Sequence, residues 1–167
     1  DLIKVVSLIL VTGGTGFVGS QVVAELRRRD AKVRCLVRQT SNLKRLQTLG
    51  VEFAYADITQ PSTLGESLRG VQAIVHLAAI IAEKGQATFE RVNWRGTQNL
   101  VEAAGKVGVE RFLYMSNIGA SSDRRFPFLY SKWQAEEAVK ASGLSYTIFR
   151  ASVIFGPGDK FINTLAD

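Results

Sequence analysis

The stretch Val11-Thr12-Gly13-Gly14-Thr15-Gly16-Phe17-Val18-Gly19 decides the fold of this chain, because it joins a short apolar run to the start of a helical pattern. Its glycines at 13, 16 and 19 are spaced three residues apart. Glycine permits positive φ in a tight turn and lets the backbone approach a pyrophosphate, whose charge the helix N-terminus stabilises. A glycine-rich connector without a ligand is the alternative, but the flanking strand and helix patterns favour dinucleotide binding. The contacts predicted from this stretch are Gly13, Thr15, Gly16, Phe17, Val18 and Gly19.

Short apolar or β-branched runs recur along the whole chain, and longer stretches of helical character separate most of them. The runs cover residues 7–12, 32–37, 51–55, 73–77, 111–115 and 145–149. In one helical stretch Val18, Val22 and Leu26 recur every four residues, and a longer one covers residues 88–107. Parallel strands need crossover connections, so this alternation predicts an α/β fold with a doubly wound parallel sheet in one domain.

The composition is that of an ordinary globular domain, with 46% hydrophobic and 22% charged residues in a chain of 167. The longest apolar stretch, residues 2–11, is far shorter than the roughly 20 residues that span a bilayer, so no transmembrane segment is expected. Secretion is not indicated either, because this stretch leads straight into the glycine turn. Cys35 is the single cysteine and allows neither an internal disulfide nor a cysteine metal cluster. We therefore expect a reducing compartment, the cytoplasm or an organellar matrix.

The net charge of +6 is concentrated in part between residues 31 and 51, which contain five cations and no Asp or Glu. Arg38 stands at the end of the second predicted strand, where an acidic residue would hydrogen-bond a free ribose 2′-hydroxyl. A guanidinium there favours a 2′-phosphate instead, so NADP(H) is predicted over NAD(H). Two alternatives are that these cations form a solvated face and that Arg38 stacks on adenine without selecting a phosphate. Basic residues elsewhere are dispersed without interleaved aromatics, which argues against nucleic-acid binding.

The chain resembles the short-chain dehydrogenase/reductases, in their extended and atypical branches, which include the epimerase/dehydratase-like proteins. The resemblance rests on the glycine turn, Ala56-Asp57-Ile58, Val75-His76-Leu77-Ala78-Ala79 and Val92-Asn93-Trp94-Arg95-Gly96-Thr97-Gln98-Asn99-Leu100. It implies a Rossmann fold of three αβα layers. It also implies that Asp57 and Ile58 border the adenine, that Leu77, Ala78 and Ala79 contact the dinucleotide, and that Asn93 supports the active-site end. The plainer alternatives are that Asp57 caps a turn through Thr59 and that His76 is a satisfied buried histidine.

The catalysis of that family depends on a tyrosine four residues before a lysine, which places the two side chains one helical turn apart. Lys132 is present, but Phe128 occupies the tyrosine position and has no proton to transfer. Tyr130 lies about 200° around an ideal helix from Lys132 and should face elsewhere. The family serine is expected near Ser116, although the alignment puts Ile118 at its position, and the loop also offers Ser121 and Ser122. The candidate catalytic residues are therefore Lys132, Ser116 and Asn93.

The resemblance implies that Lys132 can bind the cofactor without the tyrosine, because in this family the lysine ammonium also hydrogen-bonds the nicotinamide ribose. Residues 131–138 and 149–159 resemble the atypical branch that contains the NADPH-binding accessory subunit of respiratory complex I and its bacterial relatives. That implies a cofactor-binding accessory or scaffold role, with a membrane complex or its assembly machinery as partner. An active NAD(P)-dependent reductase or sugar-nucleotide epimerase-like enzyme remains an alternative, as does a redox-sensing regulator.

The carboxyl end looks abrupt, since a helical pattern begins after the turn at residues 156–159 and the chain then stops. In the extended members of the family, substrate specificity lies in a C-terminal region beyond this point. We therefore expect residues 1–167 to be an NAD(P)-binding domain truncated before that region.

Overall fold

The computed structural model describes residues 7–156 and 159 and contains a six-stranded parallel sheet. Its strands are β1 (Leu8–Thr12), β2 (Lys32–Val37), β3 (Glu52–Tyr55), β4 (Val71–His76), β5 (Arg111–Asn117) and β6 (Ser145–Ala151). They lie in the order β3-β2-β1-β4-β5-β6, and each neighbouring pair is parallel. The α/β class and the doubly wound parallel sheet predicted from the sequence are confirmed.

Helices connect the described strands except β2 and β3, which are joined by turns. The helices are α1 (Phe17–Arg28), α2 (Leu64–Ser67), α3 (Gly96–Val107) and α4 (Pro127–Lys140), with a 3₁₀ turn at Pro61–Thr63 before α2. In α1 the fully buried Val23 and the partly buried Leu26 pack on the sheet core, whereas Val18 and Val22 of the predicted four-residue repeat are only partly buried. Two arginines occupy the last turn of α1, where cations suit the helix dipole.

The long helix predicted over residues 88–107 is present but is not uniform. Its first part, Phe89–Arg95, is π-helical and runs directly into α3. Thr88 caps it, because its hydroxyl oxygen accepts the N–H of Arg91 at 3.1 Å. At the junction, the Thr97 hydroxyl donates to the carbonyl of Asn93 at 2.6 Å and so competes with the regular backbone hydrogen-bond pattern. Local π-helical geometry of this kind occurs often at functional sites.

The apolar core is divided between the two faces of the sheet. On one face, α1 and the turns near Leu46 cover Val11, Val33 and Cys35. On the other, α2, α3 and α4 cover a larger cluster around the fully buried Phe112. Covering both faces gives the expected αβα layers and keeps water away from the nearly continuous apolar strands.

Strand positions predicted from the sequence agree with the structure, but several limits differ. β4 starts two residues earlier than predicted because Val71 pairs with Leu8 across an irregularity in the register. β5 and β6 each extend two residues further, since they remain paired as far as Asn117 and Ala151. Apolar runs alone do not mark these polar strand ends, whose extent depends on pairing with a neighbour.

The sheet order positions a crevice at the carboxyl ends of the strands. β1 lies between β2 and β4, so the connections that leave β1 and β4 lead to opposite sides, and ligands of open α/β sheets bind at such a switch point. Within the described residues, no helix is long and apolar enough to cross a membrane. Residues 2–6 of the apolar stretch, residues 157 and 158 of the turn predicted at 156–159 and the helix expected after that turn lie outside the described residues.

Candidate functional site

A cleft of about 580 Å³ lies at the carboxyl ends of β1 to β4, within the roughly 300–1,000 Å³ range of small-molecule sites. Nine predicted contacts line it: Gly13, Thr15, Gly16, Arg38, Asp57, Ile58, Leu77, Ala78 and Ala79. It is also lined by residues that were not predicted as contacts, among them Thr12, Leu36, Ser41, Thr59, Ile80, Lys84, Gln86, Arg91 and Val92. The glycine turn, the end of β2 and the segment after β4 thus meet in one crevice.

The glycine turn packs too closely on its neighbours to accept side chains. Gly13 has φ of +70°, and a Cβ there would lie 2.8 Å from the backbone nitrogen of Ala78. A Cβ on Gly19 would overlap the carbonyl oxygen of Gly13. Thr12 also holds the turn against residues 77 and 78, because its hydroxyl oxygen accepts the N–H groups of Leu77 and Ala78 at 3.2 Å each. The turn is therefore held directly against the loop that follows β4.

The N-terminus of α1 is arranged to receive an anion. Gly16 occupies the N-cap position, so no side chain caps the helix, and no acidic residue stands in its first turn. The first N–H groups of a helix have no intrahelical acceptor and carry the positive end of the helix dipole. Phe17, Val18 and Gly19 do not line the cleft, but their backbone positions in this first turn are those that a pyrophosphate would meet.

The adenosine end predicted from the sequence contains one exposed cation and one engaged carboxylate. Arg38 follows β2 in a turn in which its N–H donates to Ser41 Oγ at 3.0 Å. In the described part of the chain Arg38 makes no ion pair. Asp57 lines the cleft, but its Oδ1 accepts the N–H and the hydroxyl of Thr59, both at 2.8 Å. Asp57 therefore organises its own turn as well as bordering the cleft.

His76 is fully buried and is the centre of a hydrogen-bond chain. Its Nδ1 lies 2.6 Å from the Thr12 hydroxyl and its Nε2 lies 2.9 Å from the Thr97 hydroxyl. Thr97 donates its hydrogen to Asn93, so it accepts from Nε2–H, and Thr12 donates to Nδ1. Burial, assisted by the Lys132 charge, lowers the pKa of His76 to about 3, so the ring is neutral. These contacts agree with the satisfied-histidine alternative and assign a structural role to His76.

The side chain of Asn93 joins the loop after β4 to helix α4. Its Oδ1 accepts the N–H of Ile80 at 2.9 Å, and its Nδ2 donates to the Ile80 carbonyl at 3.0 Å. Nδ2 also lies 3.3 Å from Ser131 Oγ. Asn93 is almost fully buried and does not line the cleft. Its geometry is that of a support for neighbouring segments, and direct participation in catalysis stays a prediction.

The aromatic residues at the start of α4 do not provide a hydroxyl beside Lys132. Phe128 packs edge-on against Phe89, with ring centroids 5.6 Å apart. Tyr130 stacks on Trp133 at 5.7 Å and lies near the guanidinium of Arg124. The tyrosine thus belongs to a different group of contacts from the lysine two residues later.

Lys132 is nearly fully buried, with 2% of its surface exposed. Its Nζ donates to the carbonyl of Met115 at 2.7 Å and lies 4.4 Å from the centroid of the Tyr114 ring. Burial lowers the pKa of Lys132 to about 7, against a smaller opposing effect of the Glu136 carboxylate. Lys132 does not line the cleft, so contact with a nicotinamide ribose requires a rearrangement that exposes Nζ, although the bond to Met115 uses only one of its three N–H groups.

Ser116 is engaged in an ionic network between β5, β6 and α4, in which Ser116 and Glu136 are buried and Arg150 is half-exposed. Its hydroxyl donates to Glu136 at 2.5 Å, and the Arg150 guanidinium donates to both oxygens of the same carboxylate. Burial raises the pKa of Glu136, but the hydrogen bonds from Arg150 and Ser116 outweigh it and hold that pKa below its usual value. Ile118 is 65% exposed on the loop that follows. Neither Ser116 nor the loop serines at 121 and 122 line the cleft.

The sequence alone does not predict which residues of the segment after β4 line the cleft. Lys84, Gln86 and Arg91 lie outside the motifs that carry the family resemblance, and only tertiary folding brings them to the cleft. His76 and Thr12 stood within recognised motifs, but their partnership joins residues 64 positions apart. Among the described residues, no group of three or more His, Cys, Asp or Glu side chains is placed to hold a metal ion.

Comparison with known families agrees with this geometry. The model of the NAD dependent epimerase/dehydratase family matches residues 9–166. The chain belongs to this family. As a member, it is an NAD(P)-binding protein with the Rossmann architecture described above.

Curated relatives of this epimerase/dehydratase-family chain have more than one role. It is 33% identical over 147 residues to the photosystem II assembly factor Ycf39 of Guillardia theta, covering 88% of this chain and 46% of the relative. It is 32% identical over 152 residues to the ceramide reductase of Caulobacter vibrioides, covering 91% of this chain and 48% of the relative. The chain therefore spans about half the length of the curated relatives it matches. A particular closeness to the complex I accessory subunit stays a prediction.

Solved structures show the same fold. The structure of gox2253 is 31% identical with a TM-score of 0.77, and the match covers 86% of this chain and 51% of that one. MoeE5 in complex with UDP-glucuronic acid and NAD is 28% identical with a TM-score of 0.77, covering 94% of this chain and 59% of that one. The likeness extends over most of the present chain.

Proposed function

We propose that this chain is the NADP(H)-binding domain of an atypical epimerase/dehydratase-family protein with an accessory or scaffold role. The observation that supports this role is that Phe128 occupies the position of the usual tyrosine. Its ring packs against Phe89 and has no hydroxyl. The Tyr114 ring beside Lys132 is 1% exposed and does not line the cleft, so it does not take the place of the missing phenol at position 128 as the proton donor typical of the wider family. Dinucleotide binding does not depend on that phenol.

The bound dinucleotide would lie across the switch point of the sheet. Its pyrophosphate would meet the uncapped N-terminus of α1 at the glycine turn, and its adenosine would extend toward Ile58 and Arg38. Arg38 is exposed and lacks a carboxylate partner among the described residues, so it is available to a 2′-phosphate. This supports NADP(H) over NAD(H). A nicotinamide dinucleotide supplies hydride chemistry when bound, and the described residues bind and orient it.

An assembly role is the specific form of the accessory hypothesis that the relatives favour. Ycf39 is a photosystem II assembly factor, and several of the matched curated relatives carry that name. We therefore propose a membrane protein complex, or its assembly machinery, as the partner, reached from a reducing compartment. In this role the cofactor stabilises the folded protein by mass action and reports the redox state, without turnover.

An active NAD(P)-dependent reductase is the second candidate, and Lys132 is the observation that favours it. Burial lowers the pKa of Lys132 to about 7, which is suited to proton exchange near neutral pH. The similarity to a ceramide reductase points in the same direction. Lys132 would then act with Asn93 as its support, while the engagement of Ser116 with Glu136 leaves substrate polarisation to another group.

Calorimetric titration of the full-length protein with NADPH and NADH tests the binding proposal, and nicotinamide absorbance tests the role. We expect tight NADPH binding, weaker NADH binding and no oxidation of bound NADPH in the presence of carbonyl or quinone compounds. Steady oxidation would instead establish the reductase. Absence of binding by either nucleotide would refute both candidates.

A further inference from the structure

The cleft has cationic residues on two opposite sides. Its charged lining residues are Arg38, Asp57, Lys84 and Arg91, and the Asp57 carboxylate is already engaged by Thr59. Arg38 follows β2, whereas Lys84 and Arg91 follow β4, and these strands flank β1 and its glycine turn. A ligand that lies across the turn therefore meets cations from both sides, although only Arg38 belongs to a recognised sequence pattern.

Lys84 is presented by a short, well-anchored segment, residues 83–88, which we call the strap. Lys84 and Ala87 exchange two backbone hydrogen bonds of 3.0 Å, and Gly85 between them has φ of +56°. This is a tight hairpin that ends at the cleft. A hairpin that is already formed without a ligand loses less entropy on binding than a segment that must first fold.

Two side chains tie the strap to the π-helical segment behind it. Arg91 Nη1 donates to Gln86 Oε1 at 2.6 Å, and Glu83 Oε1 accepts the N–H of Phe89 at 2.7 Å. Both bonds use residues of the strap on either side of Lys84. Lys84 itself is exposed and, within residues 7–156 and 159, has neither an ion pair nor a side-chain hydrogen bond.

We propose that Lys84 pairs with the pyrophosphate of the bound dinucleotide and closes the cleft from the side opposite Arg38. The pyrophosphate lies at the N-terminus of α1, between the two cationic sides, whereas a 2′-phosphate lies at the end of β2 beside Arg38. Lys84 therefore contributes to affinity for NADP and NAD alike, and Arg38 contributes to the choice between them. The inference rests on the proposed dinucleotide binding and adds a binding residue to it.

The test uses the full-length protein and three variants, each titrated calorimetrically with NADPH and with NADH. We expect Lys84→Gln to weaken both nucleotides by the same factor, about tenfold for the loss of one charge-assisted hydrogen bond. Lys84→Arg keeps the charge and should bind within a factor of about two of the wild type. Lys106→Gln is the matched control, an exposed lysine in the last turn of α3 that does not line the cleft, and it should leave both affinities unchanged.

Two results would overturn the inference while leaving the proposed function intact. Unchanged affinities in Lys84→Gln would mean that Lys84 touches no phosphate. A loss confined to NADPH would place Lys84 at the 2′-phosphate rather than at the pyrophosphate. If the wild type binds neither nucleotide, the proposed function fails and this inference fails with it. Circular dichroism of each variant verifies the fold.

Discussion

Replacing Lys132 by methionine should stabilise the protein, although it removes a hydrogen bond. Lys132 is 2% exposed, and burial lowers its pKa from 10.5 to about 7. The folded state therefore binds this proton less tightly than the unfolded state does, at a cost of roughly 4 kcal/mol at pH 7. Methionine fills a similar volume without charge, while loss of the bond to the Met115 carbonyl costs about 1–2 kcal/mol. We expect a net gain of roughly 2–3 kcal/mol at pH 7.

The pH dependence identifies the cause of this gain. Because the folded-state pKa lies below the unfolded value, the cost is complete below pH 7 and disappears as the pH rises toward 10.5. The advantage of Lys132→Met should therefore shrink by roughly 2 kcal/mol between pH 7 and pH 9. Urea unfolding of both proteins at the two pH values measures it. The exposed Lys106→Met is the control and should stay within about 0.5 kcal/mol of the wild type.

A variant no more stable than the wild type at pH 7, or an advantage that does not change with pH, would refute this reasoning. The first result would mean that the Met115 carbonyl and the Tyr114 ring compensate the buried ammonium fully. The second would mean that any gain comes from packing rather than from charge. If the prediction holds, Lys132 is a residue that lowers stability, as groups retained for binding or catalysis often do.

Three further substitutions test the site. Gly19→Ala should displace the turn, destabilise the protein by about 1–3 kcal/mol and weaken NADPH binding at least tenfold. The control Gly105→Ala has open space around it in α3 and should be neutral or stabilising. Thermal unfolding measures the stability of both variants, and calorimetry measures their NADPH affinity. Arg38→Asp should weaken NADPH far more than NADH in the same titration, and equal losses would mean that Arg38 stacks on adenine or only shapes its loop. Phe128→Tyr should raise any residual NADPH oxidation, and no change with a suitable substrate would count against the placement of Lys132.

The sequence determined the fold well because its main signals are local. The spacing of Gly13, Gly16 and Gly19 between a strand and a helix is visible within nine residues, and the close approaches in the structure give the physical reason for two of these glycines. The strand positions followed from apolar runs, which report burial. Strand ends did not, because pairing extends β5 and β6 through polar residues such as Ser116 and Arg150.

The site was predicted only in part, because several of its contacts join distant segments. Arg38 was predicted from its position at the end of the second strand and Asp57 from the family resemblance, and both line the cleft. The placement of Lys84 depends on a hairpin whose anchoring by Arg91 and Gln86 no periodicity reveals. The hydrogen bond from Ser116 to Glu136 is equally hidden, since it depends on which face of β5 meets α4.

The chain of hydrogen bonds through His76 has a further consequence for how this protein can vary. Each hydroxyl along it has one hydrogen, and each is already directed: Thr12 toward the ring, the ring toward Thr97, and Thr97 toward a backbone carbonyl. A substitution at one of these three positions therefore leaves the neighbouring side chain with an unmatched hydrogen-bond donor or acceptor. We therefore expect a single substitution at position 12, 76 or 97 to be destabilising, and matched substitutions at all three positions to be better tolerated. The three side chains form one hydrogen-bonded unit, although they are spread over half of the chain.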